Sequence, residues 1–417
     1  MAIDNKDKKV LKSSIEREQN EVACSAECEK IKGSKNLNVP PLRFPEFSGE
    51  WKCTTIGNIG DIKNGPFGSV LHAEDYVENG IPIVTTEHFK TGLMPSDKFG
   101  IPQVSNEDYI RLKGYRLETN DIVFSRVGSV DINAHVGIEQ NGWLFSGRVL
   151  RVRPKYDIDS LFLHYALSTE AVKRDIRNRA VGQTMPSINT PILSSTTIQL
   201  PKDLFEQKKV AHFLRLLDER IITQNKIIED LKKLKSAISE RLFKSVKGFT
   251  VLLSDLCDIV KGKQINGENL SDSGNYYVMN GGTEPSGYYD NYNVEASTIS
   301  ISEGGNSCGY VQFNTSPFWS GGHCYSIQNI ADKVDNMYLY HYLKSNEDAI
   351  MKLRIGSGLP NIQKKDLAMF KIIVPKIEWQ IKISTFLSSL ERKAEIEERI
   401  QNVMQKQKLY LLQQMFI

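Results

Sequence analysis

The chain has 417 residues, enough for two or three domains that each bury a hydrophobic core. Its 53 Lys and Arg nearly balance 50 Asp and Glu, for a net charge of +3, and 40% of its residues are hydrophobic, which excludes global disorder and collagen-like repeats. A membrane span, an apolar export signal and a Cys-x-x-Cys pair are all absent from the sequence. We therefore expect a cytoplasmic protein with reduced thiols and no metal site.

Five segments are predicted along the chain. Residues 1–41 are charged and poor in aromatic residues, so we expect an N-terminal extension that is partly helical or disordered. Residues 42–200 and 248–374 are rich in short β-like runs punctuated by Gly, Asn and Pro, and each half has one helical patch, near 158–179 and 335–353. A central helix is expected within 201–247 and a distal helix within 375–417.

The two globular halves are copies of one another. Residues 54–65 match 251–262, and the strand-like run 122–125 before Gly128 matches 299–302 before Gly305. Further on, 182–188 aligns with 356–362, and 163–165 with 340–342, which places His164 and His341 at equivalent positions. For these histidines we favour a packing role over a catalytic one. The repeat is too long for a solenoid unit and indicates a duplicated domain plus helix.

Both C-terminal segments of the repeat carry a hydrophobic seam. Apolar residues recur at alternating spacings of three and four, which is typical of a coiled coil. The simplest partner for each helix is the other, in antiparallel orientation, although each helix could instead pack on its own domain. Gln224 and Lys235 also fall on the seam. They could be polar residues that fix the register of the helix pair, or they could be solvated positions, which is the commoner case. The predicted spacer residues are Leu214, Leu217, Ile221, Ile228, Leu231, Ile238, Leu242, Leu387, Leu390 and Ile400.

These patterns predict an α+β fold with pseudo-twofold repetition. Two mixed, strand-rich domains are each followed by a long helix, and the two helices pair as an antiparallel coiled coil.

Catalytic motifs are missing. The sequence has no phosphate-binding loop and no polar-Pro-Pro-aromatic string for a flipped base. Asp/Glu-x-Lys occurs at 230–232 and 391–393, but both matches fall inside the predicted long helices, where a chance match on a solvated face is the better explanation. We expect no catalytic residue in this chain.

Charge is distributed unevenly between the halves. Basic residues cluster in the first half, which suits contacts with phosphates. From Gln264 to Asp332 there is no Lys or Arg, but seven tyrosines and several Asn residues, which could read base edges or bind sugar or protein. Arg126 is matched by Glu303, and this exchange would swap a preference for guanine for one for cytosine. The DNA-binding candidates are Lys63, Asn64, Ser125, Arg126, Arg148, Arg151, Arg177, Arg179, Lys261, Lys263, Glu303, Asn306, His323, Tyr325, Lys364 and Lys365.

The combined pattern resembles the specificity subunit of type I restriction-modification systems. The run 42–51 (LRFPEFSGEW) is similar to the start of its first target-recognition domain, and the runs 200–218 and 374–387 are similar to its spacer regions. Departures from the family pattern are Trp379 where Glu206 stands centrally, and Glu391 for Asp218.

The resemblance implies a non-catalytic protein whose two domains each read one part of a split, asymmetric site in double-stranded DNA. It also implies that the helix pair sets the gap and docks two modification subunits, which methylate adenine, and that restriction subunits join them. No cofactor is then expected in this chain, while S-adenosylmethionine, ATP and Mg are expected in the partners. A duplicated lectin-like or protein-binding module on a coiled-coil stalk is the alternative.

Overall fold

The computed structural model describes residues 38–66, 70–356, 358 and 360–417. The predicted N-terminal extension, residues 1–41, lies almost wholly outside these ranges. The chain forms two compact units: unit 1 ends at Ile221 and also includes Val403–Ile417, and unit 2 is Ile222–Asn402. The division into five segments predicted from the sequence remains a prediction.

Unit 1 contains three sheets in its described part. An antiparallel four-stranded sheet has the order β2-β9-β6-β7, a second has the order β3-β5-β4-β8, and β1 pairs with β10. In this numbering the strands are β1 (Lys52–Thr55), β2 (Gly60–Asn64), β3 (Tyr76–Val77), β4 (Ile81–Val84), β5 (Gln103–Val104), β6 (Ile122–Ser125), β7 (Asn133–His135), β8 (Leu144–Phe145), β9 (Val149–Pro154) and β10 (Thr197–Leu200).

Unit 2 repeats this arrangement with fewer strands. Its described strands are β11 (Phe249–Leu252), β12 (Asp258–Lys261), β13 (Tyr276–Met279), β14 (Tyr288–Tyr289), β15 (Thr298–Ser302), β16 (Val311–Asn314), β17 (Trp319–Ser320), β18 (Cys324–Gln328) and β19 (Lys371–Val374). The antiparallel order β12-β18-β15-β16 repeats the four-stranded sheet β2-β9-β6-β7 of unit 1. The parallel pair β13–β17 repeats β4–β8, and the closing pair β11–β19 repeats β1–β10. The predicted duplication is confirmed.

Each predicted helical patch is two helices. In unit 1 the patch is α3 (Ser160–Leu167) and α4 (Glu170–Arg179), and in unit 2 it is α7 (Asn336–Ser345) and α8 (Glu347–Met351). The remaining helices are α1 (Ile56–Ile59), α2 (Asn106–Arg111), α5 (Thr190–Ser194), α6 (Leu204–Ser245), α9 (Lys364–Ala368) and α10 (Ile377–Met415).

The prediction that His164 and His341 occupy equivalent positions of the repeat is wrong by one residue. Asp159 caps α3 and Asp335 caps α7, each accepting a hydrogen bond from the backbone N–H three residues later. Counted from these equivalent caps, His164 is the fifth residue and His341 the sixth. The predicted packing role does fit, because both are buried: His164 Nδ1 lies 2.7 Å from Asn133 Oδ1, and His341 Nε2 lies 2.9 Å from Ser388 Oγ.

The two long helices pair antiparallel. They contain 42 and 39 residues without internal Gly or Pro, about 60 Å each at 1.5 Å per residue. Within unit 2, Gln224 Nε2 donates to Glu397 Oε2 at 2.6 Å, and Lys235 Nζ lies 2.6 Å from Glu391 Oε1. Residue numbers rise along one helix as they fall along its partner. Of the two alternatives for Gln224 and Lys235, the structure agrees with polar residues that pair across the seam and not with solvated positions.

The same helices also complete the domain cores. In unit 1, Leu214 and Leu411 pack in one cluster with Trp51. In unit 2, Leu387 packs in the cluster of Tyr338. The helices therefore do both things that the sequence left as alternatives. Ile400, 39% exposed, is the least buried of the predicted spacer residues.

Candidate nucleic-acid interface

Three strands of unit 1 meet at one edge of the four-stranded sheet. The backbone N–H of Arg126, just after β6, donates to the carbonyl oxygen of Arg148, just before β9, at 3.0 Å. Asn64, the last residue of β2, pairs in register with Leu150. Asn64, Arg126 and Arg148 therefore lie on neighbouring backbones at this edge, and we call them the unit 1 triplet.

Unit 2 has the same edge with different side chains. The backbone N–H of Glu303 donates to the carbonyl oxygen of His323 at 2.9 Å, and Lys261, the last residue of β12, pairs with Tyr325. Lys261, Glu303 and His323 thus occupy the positions of Asn64, Arg126 and Arg148. We call them the unit 2 triplet.

A glycine-containing segment supports both triplets. The backbone N–H of Ile188 donates to the Arg126 carbonyl oxygen at 2.9 Å, and Ile362 donates to that of Glu303 at 2.8 Å. Gly182 and Gly356, six residues earlier, have φ of 102° and 100°, a region that strongly favours glycine. The match between residues 182–188 and 356–362 therefore reflects a glycine at positive φ and the same backbone hydrogen bond in both units.

The unit 1 triplet carries two guanidinium groups. Arg126 is half-buried, and its guanidinium donates to the Gly147 carbonyl oxygen at 3.1 Å. Arg148 is exposed beside a cleft lined by residues that include Tyr76 and Thr85. This edge presents hydrogen-bond donors and positive charge, the combination that suits guanine O6 and N7 or a phosphate.

The unit 2 triplet contains a buried carboxylate. Glu303 is 7% exposed, and its Oε1 lies 2.6 Å from Lys261 Nζ and 3.2 Å from Tyr325 Oη. Tyr325 Oη also lies 3.0 Å from the Ile362 carbonyl oxygen, so its one proton serves two acceptors. Burial, and next the charge of Glu303, raise the pKa of Tyr325, which therefore remains a donor. His323 Nδ1 lies 3.8 Å from Glu303 Oε2.

Three arginine candidates of unit 1 already have carboxylate partners. Buried Arg151 pairs with Asp61, Arg177 pairs with Asp131 at 2.5 Å, and Arg179 pairs with Asp175. Because these guanidinium groups are compensated inside the protein, they are weaker phosphate ligands than exposed Arg148.

The other candidates lie at or beside the two edges. Lys63 Nζ sits 5.1 Å from the centre of the Tyr115 ring, and Ser125 is buried at the end of β6. The exposed candidates of unit 2 outside its triplet are Lys263, Asn306, Lys364 and Lys365. As DNA contacts, all of the candidates remain predictions.

Sequence reasoning did not match Arg148 with His323. The chain between β6 and β9 is longer than that between β15 and β18, which hides the alignment. The available signal was the small residues before each one, Ser146 and Gly147 in unit 1 and Gly321 and Gly322 in unit 2, directly after the short parallel strands β8 and β17.

One buried glutamine joins each domain to its long helix. Gln207 Oε1 accepts the backbone N–H of Asp159 at 2.9 Å, and Gln380 Oε1 accepts that of Asp335 at 2.9 Å. The side-chain amides donate to the carbonyl oxygens of the prolines that precede the helices, Pro201 at 3.1 Å and Pro375 at 2.8 Å. The sequence repeat aligns Gln207 with Gln380, but it did not predict the hydrogen bonds that they form.

The described residues contain no group of three or more His, Cys, Asp or Glu that could hold a metal ion. No helix within the same ranges combines the length and the apolar character that a membrane crossing requires.

Two α+β halves with the same sheet order, different edge residues and one antiparallel helix pair define a DNA specificity subunit with two target-recognition domains. The sequence pattern of the type I restriction modification DNA specificity domain matches residues 48–233 and 248–406. The chain belongs to this family.

Curated relatives agree over most of the chain. It is 27% identical over 418 residues to a putative type I restriction enzyme MjaX specificity subunit from Methanocaldococcus jannaschii, covering 90% of this chain and 94% of that one. It is 26% identical over 299 residues to a putative type I specificity subunit from Mycoplasma pneumoniae, covering 68% and 72%.

Among solved structures, the fold is similar to the S subunit of a type I restriction-modification system from M. genitalium. The TM-score is 0.63 at 18% identity, over 91% of this chain and 99% of that one. A second structure, described for complex assembly and conformational transition of the type I R-M system, gives a TM-score of 0.55 at 15% identity, over 89% and 98%.

Proposed function

We propose that this chain selects the DNA sequence for a type I restriction-modification complex and carries out no chemistry itself. Unit 1 reads one part of a split, asymmetric site and unit 2 reads the other. The observation that carries this proposal is the pair of triplets: one backbone arrangement presents Arg126 and Arg148 in one unit and Glu303 and His323 in the other. Different side chains on the same scaffold suit two different half-sites.

Phosphate attraction in this proposal comes unevenly from the two units. Unit 1 offers exposed Arg148, while residues 264–332 of unit 2 lack any Lys or Arg. Exposed lysines flank that stretch, including Lys263 and Lys364. Because the net charge of the chain is only +3, partner subunits supply part of the affinity for DNA in this proposal.

Exposed apolar side chains on the long helices support subunit docking. Leu216 on α6 is 44% exposed, and Trp379 and Phe386 on α10 are 59% and 47% exposed. Large apolar groups that are exposed to water are side chains that a bound partner subunit could cover. We propose that the helix pair binds two modification subunits, which restriction subunits then join.

In this proposal S-adenosylmethionine, ATP and Mg belong to those partners, and the complex works in the cytoplasm.

The proposed spacer role is tested by lengthening the helix pair. One heptad inserted after Ile228 on α6, with a matching heptad in α10 opposite it, adds about 10 Å, or about three base pairs. The complex with its modification subunits should then methylate a motif whose two parts are unchanged and whose gap is longer. An active complex with an unaltered gap would refute the spacer role.

Salt dependence separates DNA reading from the alternative of a lectin-like or protein-binding module, which family membership already disfavours. Affinity of the complex for duplex DNA should fall steeply between about 50 and 200 mM salt, because phosphate contacts release counterions. Absence of DNA binding even at low salt would refute the proposed function.

A further inference from the structure

The Glu303 carboxylate is only partly satisfied by the protein. Its side chain is 9% exposed, and Oε2 has no hydrogen-bond partner among the described residues. Oε1 accepts hydrogen bonds from the Lys261 ammonium and the Tyr325 hydroxyl. The Tyr325 hydroxyl also lies within hydrogen-bond distance of the Ile362 carbonyl oxygen, so its one proton is divided between two acceptors. A buried carboxylate oxygen without a donor is costly. Such an atom is a site where a ligand can supply the missing hydrogen bond.

The two basic side chains beside this carboxylate are more than half exposed. The His323 ring, 3.8 Å from Oε2, is 62% exposed, and the Lys261 side chain is 53% exposed. A half-exposed side chain moves at small cost, because its contacts with water are largely kept. Rotation of His323 would open Oε2 toward a ligand at the sheet edge, while Tyr325 holds the other carboxylate oxygen from within the core.

The ligand must offer a donor beside an acceptor. A carboxylate accepts an N–H, and Lys261 Nζ, 2.6 Å from Oε1, donates to an acceptor next to it. The major-groove edge of DNA offers this pair as the exocyclic amine of adenine beside N7, or as that of cytosine beside guanine O6. The Arg126 and Arg148 guanidinium groups of unit 1 only donate.

We propose, on the basis of the proposed function, that Glu303 is a specificity-determining residue that accepts a hydrogen bond from the exocyclic amine of an adenine or cytosine in the major groove. Lys261 donates to the acceptor beside that amine. Tyr325 positions the carboxylate.

The first experiment locates the base. The wild-type chain and Glu303→Ala, each in complex with the modification subunits, methylate a randomised duplex library that is then sequenced. Preference at one position of one half-site should fall about 5- to 150-fold, the discrimination of one good contact, and the other positions should not change. Asp332→Ala, which removes an exposed carboxylate beyond the opposite end of β18, is the control and should leave the motif unaltered.

The outcomes of this experiment are distinct. A wild-type complex without any motif contradicts the proposed function itself. A normal wild-type motif that Glu303→Ala leaves intact, or alters in both half-sites, overturns only the role of Glu303.

The second experiment tests the amine. At the position found, adenine is replaced by 2-aminopurine, or cytosine by pyrimidin-2-one, each of which lacks the exocyclic amine at the major-groove edge. Wild-type affinity should fall about 5- to 150-fold, whereas Glu303→Ala should change less than about twofold. Equal losses in both proteins would overturn the proposal.

Glu303→Gln covers the case in which removal of the side chain unfolds unit 2. Its amide oxygen still accepts an N–H, so the preferred base should stay the same, whichever of the two it is. The preference for that base should weaken about fivefold, because a neutral amide oxygen accepts a weaker hydrogen bond than a carboxylate. An unaltered preference, or a change to a different base, would overturn the assignment.

Discussion

Replacing Gln207 or Gln380 with Ala should weaken the attachment of each domain to its helix. Each glutamine is at most 1% exposed and joins a helix-capping aspartate to a proline carbonyl group. Alanine leaves one buried N–H and one buried carbonyl oxygen without partners in each unit. Gln380 also donates to the Lys333 carbonyl oxygen at 3.0 Å, so its loss leaves a further acceptor.

The magnitude follows from the groups left unpaired. A buried polar group that loses its partner costs about 1 to 3 kcal/mol, so two such groups predict about 2 to 6 kcal/mol per substitution, with Gln380→Ala at the upper end. Urea denaturation gives the free energy of unfolding. Amide hydrogen exchange reports the local effect, and the backbone N–H of Asp159 should exchange faster in Gln207→Ala, and that of Asp335 in Gln380→Ala.

Gln405→Ala on α10 is the control, because this glutamine is exposed and its loss should cost less than about 0.5 kcal/mol. If Gln207→Ala and Gln380→Ala lower the free energy of unfolding no more than this control does, then the hydrogen bonds of these glutamines do not stabilise the attachment of each domain to its helix. Exchange that increases at the cap of the other unit instead would contradict the assignment of each glutamine to its own domain.

Three further predictions concern pH, the seam and the first half-site. Burial lowers the pKa of His164 to about 3, below its unfolded value of about 6.5, so the unfolded state takes up the proton first and stability falls by about 2 kcal/mol from pH 7 to pH 5; His164→Gln should flatten that slope in urea titrations, and an unchanged slope would contradict the burial argument. A double-mutant cycle with Lys235→Met and Glu391→Gln should give a coupling of about 1 kcal/mol by denaturation, since both side chains are less than one-third exposed, and strict additivity would mean that the pair contributes nothing. Arg126→Ala should relax base preference in one half-site of the methylated motif, and an unaltered motif would remove Arg126 from the base-reading residues.

The sequence predicted the architecture well because the repeat and the seam are long-range patterns. A match such as 182–188 with 356–362 survives divergence because it encodes a backbone conformation, with Gly182 and Gly356 both at positive φ. Helices without Gly or Pro and with apolar spacing of three and four predict a paired helix directly.

The edge of the sheet was harder to predict because its side chains differ between the copies. Matching Arg126 with Glu303 required only the strand before them, whereas Arg148 and His323 follow loops of different length. Burial also separated candidates that sequence treats alike, since Arg148 is exposed and Arg151 is paired with Asp61. Ion pairs between residues about 90 positions apart, as here, depend on tertiary packing and leave no local pattern.

Exchange of residues 248–374, the globular part of unit 2, tests modular reading most directly. Residues 248–374 are replaced with the corresponding half of a relative of different specificity, and N6-methyladenine is mapped in cells that express the chain with its modification subunit. The account predicts a split motif in which one part changes completely while the other part and the gap stay the same. A motif that is continuous, or one in which both parts change together, would contradict independent reading by the two domains.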